Sequence, residues 1–372
     1  MVEHRTGAQG WLAWTDMNRL MQVESNEAAT RVRFDPVPLP AGEPGGYQPA
    51  VLDEALRRWV TSEPLRILAG ASGWHWPDER DTLALLDTLA DLSADWDFRK
   101  DRERNFIEGA PAKVNGREIP DDLVVGAARA LGLVDATAIT GREFSHLIVL
   151  SGLVRACVNR THRAAELMRG GLAAGMVGVL GAHRPLGGAE PQQARDAGLG
   201  TLSDEAEVIV AATRQAFGLG SPLAVQESQP LADPGDPALL HAASARYRWP
   251  SVEVVIASSS EPETRRANTA DQLRHWADMA GVGSEHDVLI LTTQIYVPYQ
   301  HMEAVRVLGL ERGCGVYSCG VDAASSLMPK ATPFTGRDYL QEIRSALRAA
   351  PGLLRAAQAT EAGAGQNARR QG

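Results

Sequence analysis

The second half of the chain alternates short apolar runs with helical segments, and this pattern constrains the fold more than any other feature. Strands are predicted at residues 145–150, 176–180, 251–257 and 288–293, with a weaker one at 315–319. Helical periodicity is found at residues 161–168, 204–217, 269–280, 299–308 and 336–349. Near-continuous apolar strands separated by helices are typical of a parallel sheet that is covered on both faces. The sequence therefore predicts an α/β domain with such a sheet over residues 143–350.

The regions on either side of this domain have a different character. Residues 1–142 are rich in tryptophan and charge, and apolar residues recur three and four positions apart over residues 50–60 and 81–92, which predicts a mainly helical module. Residues 64–72 fit a strand or a helix equally well. Residues 351–372 end in a stretch rich in Ala, Gly, Gln and Arg, which is typical of a disordered tail.

Composition narrows the class of function. A net charge of −9 over 372 residues argues against nucleic acid as a partner, since phosphate backbones require a basic face. The sequence has no run of about 18 apolar residues, so we expect a cytoplasmic protein without a membrane partner. Cys157, Cys314 and Cys319 do not have the spacing of metal ligands, and no metal is expected. The oligomeric state is open, and a homo-oligomer is compatible with the composition.

Familiar catalytic motifs are missing from the sequence. It contains no GxxxxGK[ST] phosphate loop, no GxGxxG after the first strand, no HExxH and no GxSxG. The sequence therefore indicates where a site lies better than which reaction takes place there.

Small and polar residues follow the predicted strands. In open α/β sheets, ligands bind beyond the carboxyl ends of the strands, and the helix N-termini that follow favour an anion. The residues at these positions are Ser151, Gly152, Gly181, His183, Arg184, Thr292 and Thr293. A doubly wound protein also needs tight turns at these places, so structure alone could explain each loop. Arg155, Arg160, His162 and Arg163 follow the first strand, and they either attract phosphate or carboxylate or form a charged helix face.

Helix starts supply the other candidate residues. Glu205 could bind ribose hydroxyls or act as a general base, or simply serve as a first-turn carboxylate. Asn268 and Thr269 could contact a ligand or cap their helix, and Asp271 could join them or only interact with the helix dipole. Tyr296 could stack on a base or pack in the core.

An ordered series of motifs over about residues 145–347 resembles the YdcF/SanA/ElyC-like family, which is catalogued as a domain of unknown function. Val149-Leu-Ser-Gly152 followed by Arg163-Ala-Ala165 matches the family's first loop and helix, and Ser203-Asp-Glu-Ala206 matches a later helix start. Ala267-Asn-Thr-Ala-Asp-Gln272 is similar to its Asn-Thr and Glu-Asn element. Leu180-Gly181-Ala182 stands where the family has Ser-Gly-Gly.

The chain also departs from the family pattern. Tyr296 stands where His is usual and Tyr299 where Arg is usual, so chemistry that depends on an imidazole and a guanidinium there is in doubt. The resemblance implies a Rossmann-like fold with a polar cleft and an affinity for S-adenosylmethionine or another nucleotide.

Two functions remain open at this stage. The first is a transferase or hydrolase that binds a nucleotide or S-adenosylmethionine-type ligand and acts on a small acidic metabolite, with His183, Glu205 and Asp271 as catalytic residues. The second is a non-catalytic nucleotide or metabolite sensor. In both cases the ligand would contact Ser151, Gly152, Gly181, Arg184, Glu205, Asn268, Thr269, Thr292, Thr293 and Tyr296.

Overall fold

The computed structural model describes residues 32–98, 112–136, 139, 141–228, 236–322, 327 and 333–371. The structural statements that follow concern these residues. Residues 1–31 of the predicted N-terminal module lie outside them, as do residues 99–111.

The N-terminal region is mainly helical, as predicted. Its helices are α1 (Pro49–Val60), α2 (Glu63–Ala71), α3 (Thr82–Leu92) and α4 (Asp121–Ala130), and a hairpin joins β1 (Ala112–Val114) to β2 (Arg117–Ile119). Short 3₁₀ turns lie at Pro44–Tyr47 and Ser93–Trp96. The stretch 64–72, left open by periodicity, is helical and buries Leu65, Leu68 and Ala69. A proline in its first turn suits a helix start, because the missing N–H is not needed there.

A seven-stranded, mostly parallel sheet forms the second region, so the predicted α/β class is confirmed. Its strands are β3 (Phe144–Leu150), β4 (Ala174–Gly181), β5 (Ala224–Glu227), β6 (Ala245–Arg248), β7 (Val252–Ile256), β8 (Asp287–Thr293) and β9 (Gly315–Val321). Their order in the sheet is β5-β6-β7-β4-β3-β8-β9. The antiparallel strands β5 and β6 form one edge, and the other five strands are parallel.

This strand order creates a topological switch point. The chain moves outward from β3 to β4 and β7, and then returns to place β8 on the opposite side of β3. Val149 of β3 pairs with Leu291 of β8, so the carboxyl ends of these two strands lie side by side. In open α/β sheets the ligand crevice lies at such a reversal.

Helices cover both faces of the sheet. They are α5 (Val154–Arg169), α6 (Glu190–Asp196), α7 (Glu205–Phe217), α8 (Pro237–Ala242), α9 (Thr269–Ala280) and α10 (Val297–Ala304), which continues into a π-helical turn, Val305–Leu310. Successive residues of a strand face opposite sides. Leu289 and Leu291 of β8 therefore pack with the α5 and α7 side, whereas Val288 and Ile290 pack with the α9 and α10 side.

The N-terminal helices share a continuous core with the second face of the sheet. Trp59 and Trp96 are fully buried in the same hydrophobic cluster as Ile290 and Leu308. The long helix α11 (Gly336–Gln371) completes this cluster with Leu347 and other apolar residues. No helix among the described residues is long and apolar enough to cross a lipid bilayer.

Helix α11 extends through the segment for which composition predicts a disordered tail. It contains Pro351 and buries Leu353, Leu354 and Ala357 beyond it. The alanine-rich composition has high helix propensity, and these apolar residues give the helix a face that packs on the core. Residues 353, 354 and 357 therefore belong to the packed part of the helix.

Candidate functional site

Arg160 occupies the carboxyl edge at the switch point. It lies in α5, which follows β3, and long side chains on a helix run back toward its N-terminus. Its Nη1 donates to Leu150 O and Ser151 O, both at 2.7 Å, and its Nε donates to Thr293 Oγ1 at 3.0 Å. Arg160 therefore ties the end of β3 to the end of β8. The ring of Tyr296 lies 5.4 Å from its guanidinium carbon.

The charge of Arg160 has no carboxylate partner among the described residues. Arg160 is 2% exposed, and the hydrogen-bond acceptors of its guanidinium are two carbonyls and a hydroxyl. Burial lowers the pKa of Arg160, but a guanidinium stays protonated in proteins. A buried charge that is only partly compensated costs free energy, and here the Coulombic attraction of Glu205 offsets the effect of burial only in part. A negative group delivered to this place would reduce that cost.

Glu205 lies at the start of α7 beside the same crevice. Its Oε1 accepts from Ser151 Oγ at 2.8 Å, and its Oε2 accepts from Arg184 Nε at 2.7 Å. Arg266, whose side chain is 54% exposed, has Nη1 at 3.8 Å from Glu205 Oε2. Burial raises the pKa of Glu205, and the contacts with Arg184 and Ser151 only partly oppose this effect.

Arg184 links Glu205 to a second carboxylate. Its two terminal nitrogens donate to the two oxygens of Glu190, each at 2.7 Å. Burial acts to raise the pKa of Glu190, but hydrogen bonds from Arg184 and from the N–H of Gly187 outweigh it and lower this pKa. Arg184 is therefore fully engaged by the protein's own carboxylates. For Arg184 to contact a ligand, as predicted, one of these ion pairs would have to break.

The glycines of these loops let neighbouring parts of the protein pack closely against the backbone. A Cβ added to Gly181 would lie 2.0 Å from Ile209 Cδ1 and 3.4 Å from Ser151 Oγ. At Gly152 the nearest atom would be Ala156 Cβ at 3.0 Å, with both terminal nitrogens of Arg160 within 3.8 Å. The backbone of Gly152 therefore lies next to the Arg160 guanidinium.

His183 is held by the cap of α7. Its Nδ1 lies 3.1 Å from Asp204 Oδ1, and the same oxygen accepts the N–H of Ala206 at 2.8 Å. Asp204 and Glu207 form a capping box at this helix start. The imidazole is thus oriented by a structural carboxylate rather than by Glu205.

Asn268, Thr269 and Asp271 form the start of α9. Asn268 Oδ1 accepts the N–H of Asp271, and Asp271 Oδ2 accepts the N–H of Asn268, both at 3.0 Å. Asp271 also pairs with Arg265. Arg265 and the N–H of Asn268 lower the pKa of Asp271 although burial opposes them. Helix capping and this ion pair engage Oδ1 of Asn268 and Oδ2 of Asp271.

The two threonines at the end of β8 face opposite sides. Thr293 accepts from Arg160 in the crevice. Thr292 is buried, and its hydroxyl hydrogen-bonds Gln300 of α10. The predicted catalytic residues His183, Glu205 and Asp271 therefore each have separate partners, whereas Thr293, Tyr296 and Ser151 surround Arg160.

Sequence reasoning missed two members of the network, Glu190 and Arg266, and did not single out Arg160 from its basic cluster. The available signal was the position of Arg160, two turns into the helix that follows the first strand. From there a long side chain reaches back to the strand end. Glu190 gave no such signal, because its helix is short and irregularly patterned.

Comparison with known proteins gives a family match for the N-terminal region. A family model, the Rv3785 N-terminal domain, matches residues 43–132, within the predicted N-terminal module. The chain is 28% identical over 346 residues to "Uncharacterized protein Rv3785" of Mycobacterium tuberculosis, with 88% of this chain and 95% of the relative covered. The same values hold for "Uncharacterized protein Mb3814" of Mycobacterium bovis. No solved structure matches the chain.

These comparisons show that the resemblance to the YdcF/SanA/ElyC-like family is wrong. The family model that matches is the Rv3785 N-terminal domain, and the relatives are Rv3785-type proteins. The structure explains why these motifs suggested the wrong family. The Asn268-Thr269 element is a capping box and the segment 203–206 leads into another, and such caps recur wherever a helix follows a loop in an α/β fold.

Proposed function

We propose that this protein binds an anionic small molecule in the crevice between β3 and β8. The observation that carries the proposal is the guanidinium of Arg160, buried at the switch point and without a carboxylate partner among the described residues. A bound phosphate or carboxylate would supply the missing negative charge. The side chain of Leu153 provides no cap for α5, and the dipole at this helix N-terminus favours an anion.

The ligand class that best suits this site is a nucleotide or a related phosphate-bearing metabolite. Tyr296 places an aromatic ring beside the charge, and Gly152, which has no side chain, lies next to the guanidinium. S-adenosylmethionine is also a candidate ligand, because it carries a carboxylate that could pair with Arg160. The family resemblance that favoured it is wrong. Arg266 gives a second, exposed cation at the same edge.

A reaction at this site is the second part of the proposal. The hydroxyl of Ser151 donates to Glu205, whose pKa is raised by burial. A carboxylate with a raised pKa is suited to act as a general base near neutral pH. This arrangement supports group transfer or hydrolysis on a small acidic metabolite. A sensor without turnover would use the same ligand contacts.

A thermal-shift panel tests the binding proposal. The purified full chain would be heated with ATP, NAD, S-adenosylmethionine, S-adenosylhomocysteine or inorganic phosphate. We expect ATP or NAD at 100 times its dissociation constant to stabilise the protein by about 2.7 kcal/mol. Arg160→Lys and Gly152→Ala should each weaken that binding at least tenfold, measured by calorimetry. The lysine loses the planar fork, and the alanine methyl occupies space beside the guanidinium.

Arg163→Met is the matched control for these variants. Arg163 lies on the same helix but is exposed and pairs with Glu166, so its loss should leave affinity unchanged. The proposal fails if no anion in the panel binds, or if Arg160→Lys and Gly152→Ala bind as tightly as the wild type. If a compound binds, an assay for its conversion to product distinguishes an enzyme from a sensor.

A further inference from the structure

A second polar cluster lies away from the switch point, in a cavity along the outer edge of β9. The cavity has a volume of about 540 Å³, which is within the range of small-molecule sites. The N-terminal segment at Val37 and Leu39 forms one wall, and Phe144 and Val297 are among the other apolar lining residues. His301 and Ser318 are among the polar groups that line it.

His301 and Ser318 form a hydrogen-bonded pair in this cavity. His301 Nδ1 lies 2.9 Å from Ser318 Oγ, and His301 Nε2 lies 2.8 Å from Pro40 O. A carbonyl oxygen can only accept, so Nε2 carries the proton of the neutral ring. Nδ1 is then a lone-pair acceptor, and the serine hydroxyl donates to it. Burial lowers the pKa of His301, which keeps the ring neutral at pH 7.

This arrangement has the three parts of an activated nucleophile. The serine supplies the hydroxyl, the imidazole is the base, and the carbonyl of Pro40 fixes the tautomer and orientation of the imidazole. Ser318 is partly exposed whereas His301 is buried, so the hydroxyl is the accessible member. Packing alone does not require a serine on a strand whose neighbours Val316 and Cys319 are apolar.

The backbone beside Ser318 offers a hydrogen-bond donor. The N–H of Val316 donates to Gly42 O at 2.6 Å. This N–H therefore points away from β8, toward the open edge of the sheet at β9. In a parallel strand, alternate residues direct their N–H groups to the same side. The N–H of Ser318 therefore points toward the same edge. A backbone N–H next to the nucleophile is one of the donors that stabilise the oxyanion in acyl transfer.

We propose that Ser318 and His301 form a nucleophilic site that hydrolyses small carboxylic esters with an apolar acyl group. Ser318 Oγ attacks the ester carbonyl while its proton passes to His301 Nδ1. The bond to the alkoxy oxygen breaks, and the alcohol leaves with that proton. Water then attacks the acyl-serine, again through His301, and releases the carboxylic acid and the free hydroxyl. The apolar lining at Val37, Leu39 and Phe144 receives the acyl group.

Labelling with an alkyl fluorophosphonate, a reagent that phosphonylates activated serines, tests the site. We expect one adduct on the full-length protein, located at Ser318 by peptide mass spectrometry. Hydrolysis of p-nitrophenyl butyrate should accompany it. His301→Gln should slow labelling by about 100-fold or more, which is the usual contribution of a general base. Ser318→Ala should abolish it.

Ser345→Ala serves as the matched control, because the hydroxyl of Ser345 donates to Gln341 O within α11. It should label and hydrolyse like the wild type. Circular dichroism of each variant checks folding, and mapping of the adduct on the wild-type protein needs no variant. Absence of labelling, an adduct at another residue, or full labelling of folded His301→Gln would each overturn the inference.

Discussion

Replacing Gly320 with alanine is expected to lower the free energy of unfolding by about 3 kcal/mol or more, the upper range for overpacking. A Cβ at this position would lie 2.1 Å from Gln294 Oε1 and 2.4 Å from Gln294 Cα. The second contact is with backbone, which cannot rotate away as a side chain can. Gly320 pairs with Thr292 and the next residue, Val321, with Thr293, so relief of the clash would disturb the β8–β9 register.

Urea denaturation measures this effect through the midpoint at constant slope. Gly70→Ala is the matched control, since Gly70 lies in α2 and an added Cβ would meet no described atom within 4 Å apart from its chain neighbours and its own helix backbone. It should raise stability by about 0.4–1 kcal/mol by restricting the unfolded chain. If Gly320→Ala stayed within 1 kcal/mol of the wild type, the close packing of β9 on the turn at Gln294 would be incorrect.

The sheet could be predicted largely because its central strands are buried on both faces. The apolar runs at 145–150 and 288–293 fall within β3 and β8, and the helix at 269–280 has the predicted bounds. Strand β6 was also missed, and the edge strand β5 was missed for the opposite reason. All four residues of β5 are exposed at the sheet edge, so no apolar pattern identifies it.

The sequence predicted which residues gather at the carboxyl edge of the sheet, but it did not predict how their side chains pair. The carboxyl-edge rule placed Ser151, Glu205 and Thr293 near one crevice, and the structure joins Ser151 to Glu205 and Thr293 to Arg160. The sequence does not indicate that Asp271 is held by Arg265 and its own helix cap, because Arg265 lies six residues away in a loop. Such partners depend on loop conformation, which has no periodic signal.

Arg184 lies between two buried carboxylates, and its loss should affect stability even more than the change at Gly320. Arg184→Met is expected to lower the free energy of unfolding by about 3–5 kcal/mol at pH 7. Methionine preserves much of the stem but leaves Glu205 and Glu190, with side chains 6% and 10% exposed, without their guanidinium. Arg163→Met removes an exposed pair and should cost less than about 1 kcal/mol. Chemical denaturation of both variants gives the comparison.

The pH dependence identifies the cause of this loss. In the wild type the lowered pKa of Glu190 contributes stability above the ordinary carboxyl value of 4.5, and this is lost as pH falls through the lowered value. The raised pKa of Glu205 acts in the opposite sense, since its contribution is lost as pH rises through the raised value. Without Arg184, burial should raise both folded-state pKa values above 4.5.

The deficit of Arg184→Met should therefore grow as pH rises from 4 to 7 and shrink toward pH 4, where protonation neutralises the unpaired carboxylates. Adding Glu190→Gln and Glu205→Gln to this variant should remove most of the pH dependence and recover part of the stability. A deficit that is equal at pH 4 and pH 7 would mean that the loss comes from packing of the arginine stem. The carboxylates would then be solvated enough to tolerate their charge, and burial would not be the reason that the pKa of Glu205 is raised.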